Sequence, residues 1–283
     1  MTLSAHEFQF VSSLVRREAS IVLEPGKEYL VEARLLPLAR KAGLASVTEF
    51  LLRAQSPSGR SDRDMIVDAL TTNETSWFRD REPFTALTDL VIPQIVKSRG
   101  AQRTMRVWSA ASSSGQEPYT LAILLKENLP PGWNFEILGT DISTEMLARC
   151  ERGRYSQLEV NRGLPAPLLV KHFTRVGPEW EVAAPIKKAV TFKRMNLAAP
   201  FPPMGQFDVV FCRNVLIYFD VETKRGVLKR IRNLLKPDGW LFLGAAETTM
   251  GIDDGFERVV TGRTSAYRPR TGTPAPVGAP GKG

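Results

Sequence analysis

The chain has 283 residues, 43% hydrophobic and 24% charged, a balance that suits a globular protein with a buried core and, at roughly 100–200 residues per domain, about two domains. No apolar run reaches the ~20 residues that span a bilayer, and Met1 to Phe10 lacks a cationic stretch followed by an apolar one, so neither a membrane helix nor a signal peptide is expected, and the cytoplasm is the expected location. Cys150 and Cys212, like His6 and His172, stand far apart, which argues against a zinc cluster or a disulfide framework and leaves no metal expected; the net charge of +8 favours an acidic partner, although a merely solvated basic surface explains it equally well.

Residues 1–75 read as helices. Apolar residues recur at helical spacing through Phe8, Val11, Leu14 and Val15, then through Leu30, Leu35, Leu38 and Ala39. Ser46 with Glu49 is a capping-box pattern, and Ser56-Pro57-Ser58-Gly59 is a turn. This predicts a small helical domain, followed by a linking segment and helix over 76–99. From residue 100 the pattern alternates. Strands are predicted over Met105–Ala110, Phe135–Thr140, from Val190, over Phe207–Cys212 and over Trp240–Ala245. Helices are predicted over Gln116–Leu125, Ser143–Cys150 and Val221–Leu235, the last stopped by Lys236-Pro237-Asp238-Gly239. Strands alternating with helices imply an α/β fold with a doubly wound parallel sheet. The alternation lapses over 154–189, where Phe173–Val176 and Trp180–Val182 suggest a short hairpin in an inserted subdomain. Residues 269–283 are rich in Pro, Gly, Ala and Thr without acidic residues, and a disordered tail is expected.

In such a sheet, ligands bind beyond the carboxyl ends of the strands, and those ends carry the informative residues. After the first strand comes Ala110-Ala111-Ser112-Ser113-Ser114-Gly115-Gln116-Glu117-Pro118. Small residues let a ligand approach the backbone, and Gly115 accepts a positive φ. The loop has no P-loop lysine, and Glu117 at the helix entry would repel a phosphate. It suits a positively charged ligand, such as the amino group or sulfonium of S-adenosylmethionine, though a plain tight turn fits the loop as well. Asp141 ends the second strand, 24 residues later, where a carboxylate can accept from ribose hydroxyls. Ser143 competes with it as cap of the next helix. Asn196 and Leu197 follow the third strand. Arg213, Asn214 and Tyr218 follow the fourth, where a charged residue is expensive to bury unless it is used. Alone, Arg213 reads equally as a surface ion pair and Tyr218 as a core aromatic.

Thr71-Thr72-Asn73-Glu74-Thr75-Ser76-Trp77-Phe78-Arg79-Asp80, the stretch Val107 to Tyr119, the stretch Phe207 to Phe219, and Leu234-Leu235-Lys236-Pro237-Asp238-Gly239 together resemble the chemotaxis receptor methyltransferases, the CheR family, over residues 5 to 268. The resemblance implies a Rossmann-like S-adenosylmethionine methyltransferase domain over 100–268 with an inserted small β-subdomain, preceded by a small all-helical N-terminal domain. It implies that Asn73, Thr75 and Arg79 reach over the cofactor, Glu117 holds its amino end and Asp141 its ribose. Asn196 and Leu197 would border the adenine, and Arg213 and Asn214 would complete the pocket. Arg79 and Tyr218 would lie nearest the transferred methyl, with S-adenosylhomocysteine as product. Two departures stand out. Gly115-Gln116-Glu117-Pro118 replaces the family's common Gly-Glu-Glu-Pro, retaining the cofactor carboxylate as Glu117. Gly244-Ala245-Ala246-Glu247 replaces Gly-His-Ser-Glu, and no role is assigned there. The short hairpin resembles versions that do not dock onto a receptor's tether peptide.

A free glutamate side chain has a pKa of about 4.3, so it is ionised at pH 7 and needs no general base. That agrees with a site offering no catalytic His or Cys. Arg79 would orient the carboxylate and Tyr218 would donate a hydrogen bond to it. The expected partner is the cytoplasmic helical region of methyl-accepting chemoreceptors, met by Arg34, Arg40 and Lys41 on one helix; no nucleic acid is expected, and a monomer is. The rival readings are a nucleic-acid methyltransferase and a non-catalytic module that binds the cofactor.

Overall fold

The computed structural model describes residues 3–270. Four helices open the chain: α1 (Ala5–Ala19), α2 (Glu28–Lys41), α3 (Val47–Gln55) and α4 (Arg60–Leu70). Each turns an apolar face inward, so that Val11, Leu14, Val31, Leu35, Phe50 and Ile66 share one core. The Ser46–Glu49 spacing predicts two reciprocal capping bonds, and the structure makes one. Ser46 accepts from the Glu49 N–H, but the Glu49 carboxylate accepts from Ala45 rather than Ser46.

A single helical run then leads to the sheet: α5 (Glu82–Ala86), a π-helical turn (Leu87–Val91) and α6 (Ile92–Ser98). Pro93 lacks the N–H that α-helical geometry would send to Asp89, and its ring crowds that carbonyl, which accounts for the wider turn before it. The remaining elements are β1 (Thr104–Ala110), α7 (Gln116–Asn128), β2 (Asn134–Asp141), α8 (Thr144–Arg152), β3 (Arg154–Ser156), α9 (Gln157–Asn161), α10 (Ala166–His172), β4 (Phe173–Val176), β5 (Glu179–Val182), α11 (Ala184–Lys188), β6 (Val190–Arg194), β7 (Phe207–Cys212), a 3-10 turn (Leu216–Tyr218), α12 (Val221–Leu234), β8 (Leu235–Leu243), β9 (Phe256–Thr261) and β10 (Thr264–Pro269).

Seven strands form the main sheet in the order β6-β2-β1-β7-β8-β10-β9. The five expected strands run parallel. The last two lie outside the sequence-based expectation, and β10 pairs antiparallel with β8 and β9. Strand β7 alternates between two cores. Val209 and Phe211 join Phe84 and Leu121 on one face, while Val210 and Cys212 join Val227, Leu228 and Ile231 on the other. A strand covered on both faces needs few polar positions, which is why β7 reads as an apolar run broken only by Asp208.

Strand β8 begins earlier than the sequence predicts. Lys236-Pro237-Asp238-Gly239 reads as a helix stop, yet these residues already belong to the strand, which pairs irregularly with β7 between Phe207 and Val209. The irregularity has a local anchor. Fully buried Asp208 accepts from Lys236 (2.8 Å) and Arg99 (3.2 Å), and Arg99 also binds Asp238.

The inserted segment is a three-stranded sheet, β3-β5-β4, one strand more than the predicted hairpin. Its Tyr155, Phe173 and Val182 pack into the same core as α7 and Phe84. At the far end, Pro269 closes β10 and the Arg270 N–H bonds the Gly255 carbonyl, so the start of the expected tail lies further on; residues 271–283 lie outside those described.

The order of strands reverses between β1 and β7. The chain builds outward from β1 to β6 on one side, then crosses to build β7 and β8 on the other. Loops leaving the carboxyl ends of β1 and β7 therefore diverge and open a crevice, the usual ligand position in this architecture.

Candidate active site

That crevice is a cleft of about 890 Å³ of empty space, open mouth included. All ten sequence-predicted residues line it: Asn73, Thr75 and Arg79 from the segment before α5, Glu117 from the first turn of α7, Asp141 from the end of β2, Asn196 and Leu197 after β6, and Arg213, Asn214 and Tyr218 after β7.

Glu117 and Asp141 are held firmly. The Glu117 carboxylate accepts from the Ser109 hydroxyl (2.8 Å) and from Arg213 Nη1 (2.8 Å). Each oxygen thus keeps a lone pair for a further donor. The Asp141 carboxylate accepts from the backbone N–H groups of Ser143 (2.9 Å) and Ser113 (2.8 Å). Burial pushes its pKa above the ordinary range, against the pull of those N–H bonds. Ser143 itself caps α8 by accepting from Met146, so the cap and the strand-end carboxylate are separate residues.

Arg213 acts behind Glu117 rather than as an open wall of the cleft. Its side chain is 2% exposed. One nitrogen binds Glu117, the other binds Asp80 Oδ2 (2.6 Å) and the Arg79 carbonyl (2.9 Å), and the guanidinium sits over the Phe84 ring at 5.5 Å. One cation against the two carboxylates of Glu117 and Asp80 leaves this wall of the cleft negative on balance.

The segment Thr71–Asp80 straps across the cleft and is pinned on both sides. Ser113 Oγ donates to the Asn73 carbonyl (2.6 Å), and Arg162 of the insert reaches Glu74 (3.1 Å). The Arg79 side chain bonds only the Glu74 carbonyl (2.9 Å) among the described residues, leaving most of its fork of donors open. Backbone strain gathers here. Of the eight non-glycine residues with positive φ among those described, Phe78, Asp80 and Arg81 lie in or next to the strap and Ala111, Ser113 and Asn214 line the cleft. Each such conformation costs of order 1–3 kcal/mol and persists where surrounding contacts over-determine it.

The helical N-terminal unit closes the remaining side. Ala19 and Ile21 line the cleft, Asn196 Nδ2 donates to the Glu18 carbonyl (2.7 Å), and the Val22 N–H donates to the Tyr218 carbonyl (3.2 Å). No local pattern announces Ile21, because its role depends on how two units dock. Arg34 departs from the expected role: it donates to the Ala69 and Thr71 carbonyls, tying α2 to the strap, whereas Arg40 and Lys41 are exposed. A further residue without a predicted role is Glu247, whose carboxylate gathers the N–H groups of Asn214 to Ile217. Its sequence signal was the Gly244-to-Glu247 stretch after the fifth strand.

Neither cysteine offers a nucleophile. Both are buried, and burial raises both thiols well above their ordinary pKa. Among the described residues no group of three or more His, Cys, Asp or Glu is placed to hold a metal, and no helix is long and apolar enough to cross a membrane.

Comparison with known proteins agrees with this geometry. Residues 6–71 match the all-alpha domain of CheR methyltransferases, and residues 73–264 match the CheR methyltransferase, SAM binding domain. Chemotaxis protein methyltransferase 1 of Pseudomonas aeruginosa is 41% identical over 276 residues, covering 95% of this chain and 99% of the relative. Chemotaxis protein methyltransferase Cher2 of Pseudomonas putida is 40% identical, covering 89% and 94%. Chemotaxis protein methyltransferase of Vibrio parahaemolyticus is 42% identical, covering 92% and 95%. The chain belongs to the CheR family and is an S-adenosylmethionine-dependent methyltransferase.

Proposed function

We propose that this chain, in the cytoplasm, methylates glutamate side chains of chemoreceptors, converting carboxylates to methyl esters. The names of the relatives support a chemotaxis substrate. The observation that carries the chemistry is a cleft with an open guanidinium, Arg79, and an open phenol, Tyr218, and with no histidine or thiolate base among its lining residues.

The cleft suits the cofactor. Glu117 retains lone pairs for an ammonium, and Asp141 retains lone pairs for ribose hydroxyls. Small residues from Ala110 to Ser113 allow close approach. Asn73 and Thr75 would cover the ligand from the strap, with Asn196 and Leu197 beside its base and Asn214 completing the pocket. When bound, S-adenosylmethionine supplies an electrophilic methyl on a sulfonium, which a carboxylate oxygen can take.

The protein's task is then alignment. A glutamate is already anionic at pH 7, so no residue need remove a proton. Arg79 presents a planar fork that orients a carboxylate, and the Tyr218 hydroxyl donates to the same group. Holding the acceptor in a near-attack arrangement is worth several kcal/mol of barrier. Negative charge is lost as the ester forms, so Arg79 must orient the acceptor without binding it so tightly that the ground state is favoured. The division at about residues 75, 99 and 268, with the insert over 154–189, belongs to the same proposal and is supported by the separate core of α1–α4.

Labelled S-adenosylmethionine incubated with receptor-bearing membranes, RNA and DNA tests the substrate class. Base-labile label on receptors supports the reading, and label on nucleic acid alone refutes it. Arg79→Ala should cut transfer by roughly 100-fold, since it removes a positioning contact; near-normal turnover would refute its assigned role.

A further inference from the structure

The geometry points to Glu247 as a positioning residue that sets Tyr218 for methyl transfer. This rests on the role proposed above for Tyr218. Glu247 follows β8, and neither its side chain nor its neighbours line the cleft. Its carboxylate nevertheless accepts five backbone N–H groups. Oε2 takes those of Gly244 (2.7 Å) and Asn214 (2.8 Å). Oε1 takes those of Val215 (2.9 Å), Leu216 (2.7 Å) and Ile217 (3.3 Å).

Four of these N–H groups belong to consecutive residues, and the next residue is Tyr218. Converging backbone N–H groups form a concavity for an anion, and here the anion is a side chain from the neighbouring strand's exit loop. Charge-assisted bonds of this kind are about twice as strong as neutral ones. They act on a segment that needs support, because Asn214 is held at φ 57°. Gly244 belongs to the same device. A Cβ there would stand 2.7 Å from Glu247 Oε2 and 2.9 Å from the Asn214 nitrogen, so only glycine lets the β8 exit approach the β7 exit this closely.

The far end of the turn is held as well, by Val22 N–H on the Tyr218 carbonyl (3.2 Å). The tyrosine backbone is thus fixed between two clamps, while its hydroxyl has no partner among the described residues. On the cofactor side Glu247 holds only the Asn214 backbone N–H, while Arg213, Glu117 and Asp141 draw their bonds from other residues, so loss of Glu247 should disturb the acceptor side of the cleft before the cofactor side.

Glu247→Gln tests this. Whichever way the amide turns, at least two backbone N–H groups then face an NH₂ donor. Turnover on receptor membranes should fall about tenfold or more, while the Kd of S-adenosylhomocysteine stays within about threefold. Hydrogen–deuterium exchange over 213–219 should quicken. In a Tyr218→Phe background, Glu247→Gln should cost less than about threefold further, because residues acting as a unit are not additive. Equal losses in both backgrounds, unchanged turnover or unchanged exchange would each overturn the positioning role. Full turnover in Tyr218→Phe alone would instead overturn the reading of Tyr218, and this inference with it. Gly244→Ala, which presses on the same carboxylate and the same Asn214 nitrogen, carries the test by the same criteria if Glu247→Gln does not fold.

Discussion

Replacing Arg213 by methionine isolates the electrostatics behind Glu117, because methionine keeps apolar bulk over the Phe84 ring. The Arg213 side chain is 2% exposed and that of Glu117 13%, so the pair is buried. Breaking such a pair by removing one partner costs about 3–5 kcal/mol, mostly the penalty of an uncompensated buried charge. Asp80 is 41% exposed, so water screens it and its share is below about 1 kcal/mol. An expected loss of about 4 kcal/mol lowers the melting temperature by about 8 °C, at roughly 2 °C per kcal/mol for a chain of this size. Glu117→Gln removes the orphaned charge. The double variant should therefore recover about 2 kcal/mol relative to the sum of the single losses. Urea unfolding of the four proteins measures this. Cofactor binding supplies a second readout: losing one oriented charge-assisted bond, about 1.5 kcal/mol, weakens the Kd of S-adenosylhomocysteine roughly tenfold. A cost under about 1 kcal/mol for Arg213→Met, or single losses that simply add within about 0.5 kcal/mol, would refute the buried-pair argument.

Acidification should weaken S-adenosylhomocysteine binding through Asp141. Ribose hydroxyls favour the ionised carboxylate, while burial raises its pKa in the free protein; affinity is therefore complete above that raised pKa and falls below it, by up to about tenfold per pH unit. Calorimetry from pH 8 downward should show the fall starting above the ordinary aspartate value of about 3.9, and Asp141→Asn should remove this dependence. Gly115→Ala should destabilise by roughly 1–3 kcal/mol, because φ is 97° and the new Cβ would stand 2.8 Å from the Tyr155 hydroxyl oxygen. Gly226→Ala, inside α12, gains about 0.5–1 kcal/mol of helix propensity, but its Cβ would stand 3.2 Å from Arg230 Nη1, whose guanidinium bonds the Leu197 carbonyl, so the net stabilisation should fall below that gain; urea unfolding checks both. Raising salt should raise the KM for receptor membranes if Arg40 and Lys41 steer the acidic partner, and replacing both by alanine should flatten that salt response.

What the sequence shows most clearly is whatever local period or strand-end position decides. Strand β7 is legible to the residue, since burial on both faces makes Phe207–Cys212 apolar at every position but Asp208. Ser143 is legible as a cap because a capping bond spans three residues. Strand β8 is not. Lys236 and Asp238 look like a polar stop, and only their distant partners Asp208 and Arg99 make room for them in a strand. The antiparallel edge strand β9 is illegible for a related reason: half of its residues are exposed, and its place is set by pairing with β10.

The same division runs through the site. Glu117, Asp141, Asn196 and Arg213 could be singled out because the fold brings strand exits together wherever a parallel sheet reverses its order. Their neighbours could not be read in that way. Glu117 meets Arg213 across 96 positions of sequence, and Glu247 meets Leu216 across 31. Both contacts join the exits of adjacent strands, so they follow from register rather than from any motif. Arg213 is the instructive case. A charged residue straight after an apolar strand signals use, but the use is to hold a carboxylate from behind. The cation that pays for burying Glu117 also binds the backbone of Arg79, so the cofactor side and the acceptor side of the cleft share one support. Disturbing Arg213 should therefore impair both, whereas disturbing Glu247, which on the cofactor side holds only the Asn214 N–H, should impair the acceptor side more than the cofactor side, and that contrast separates the two layers of the site.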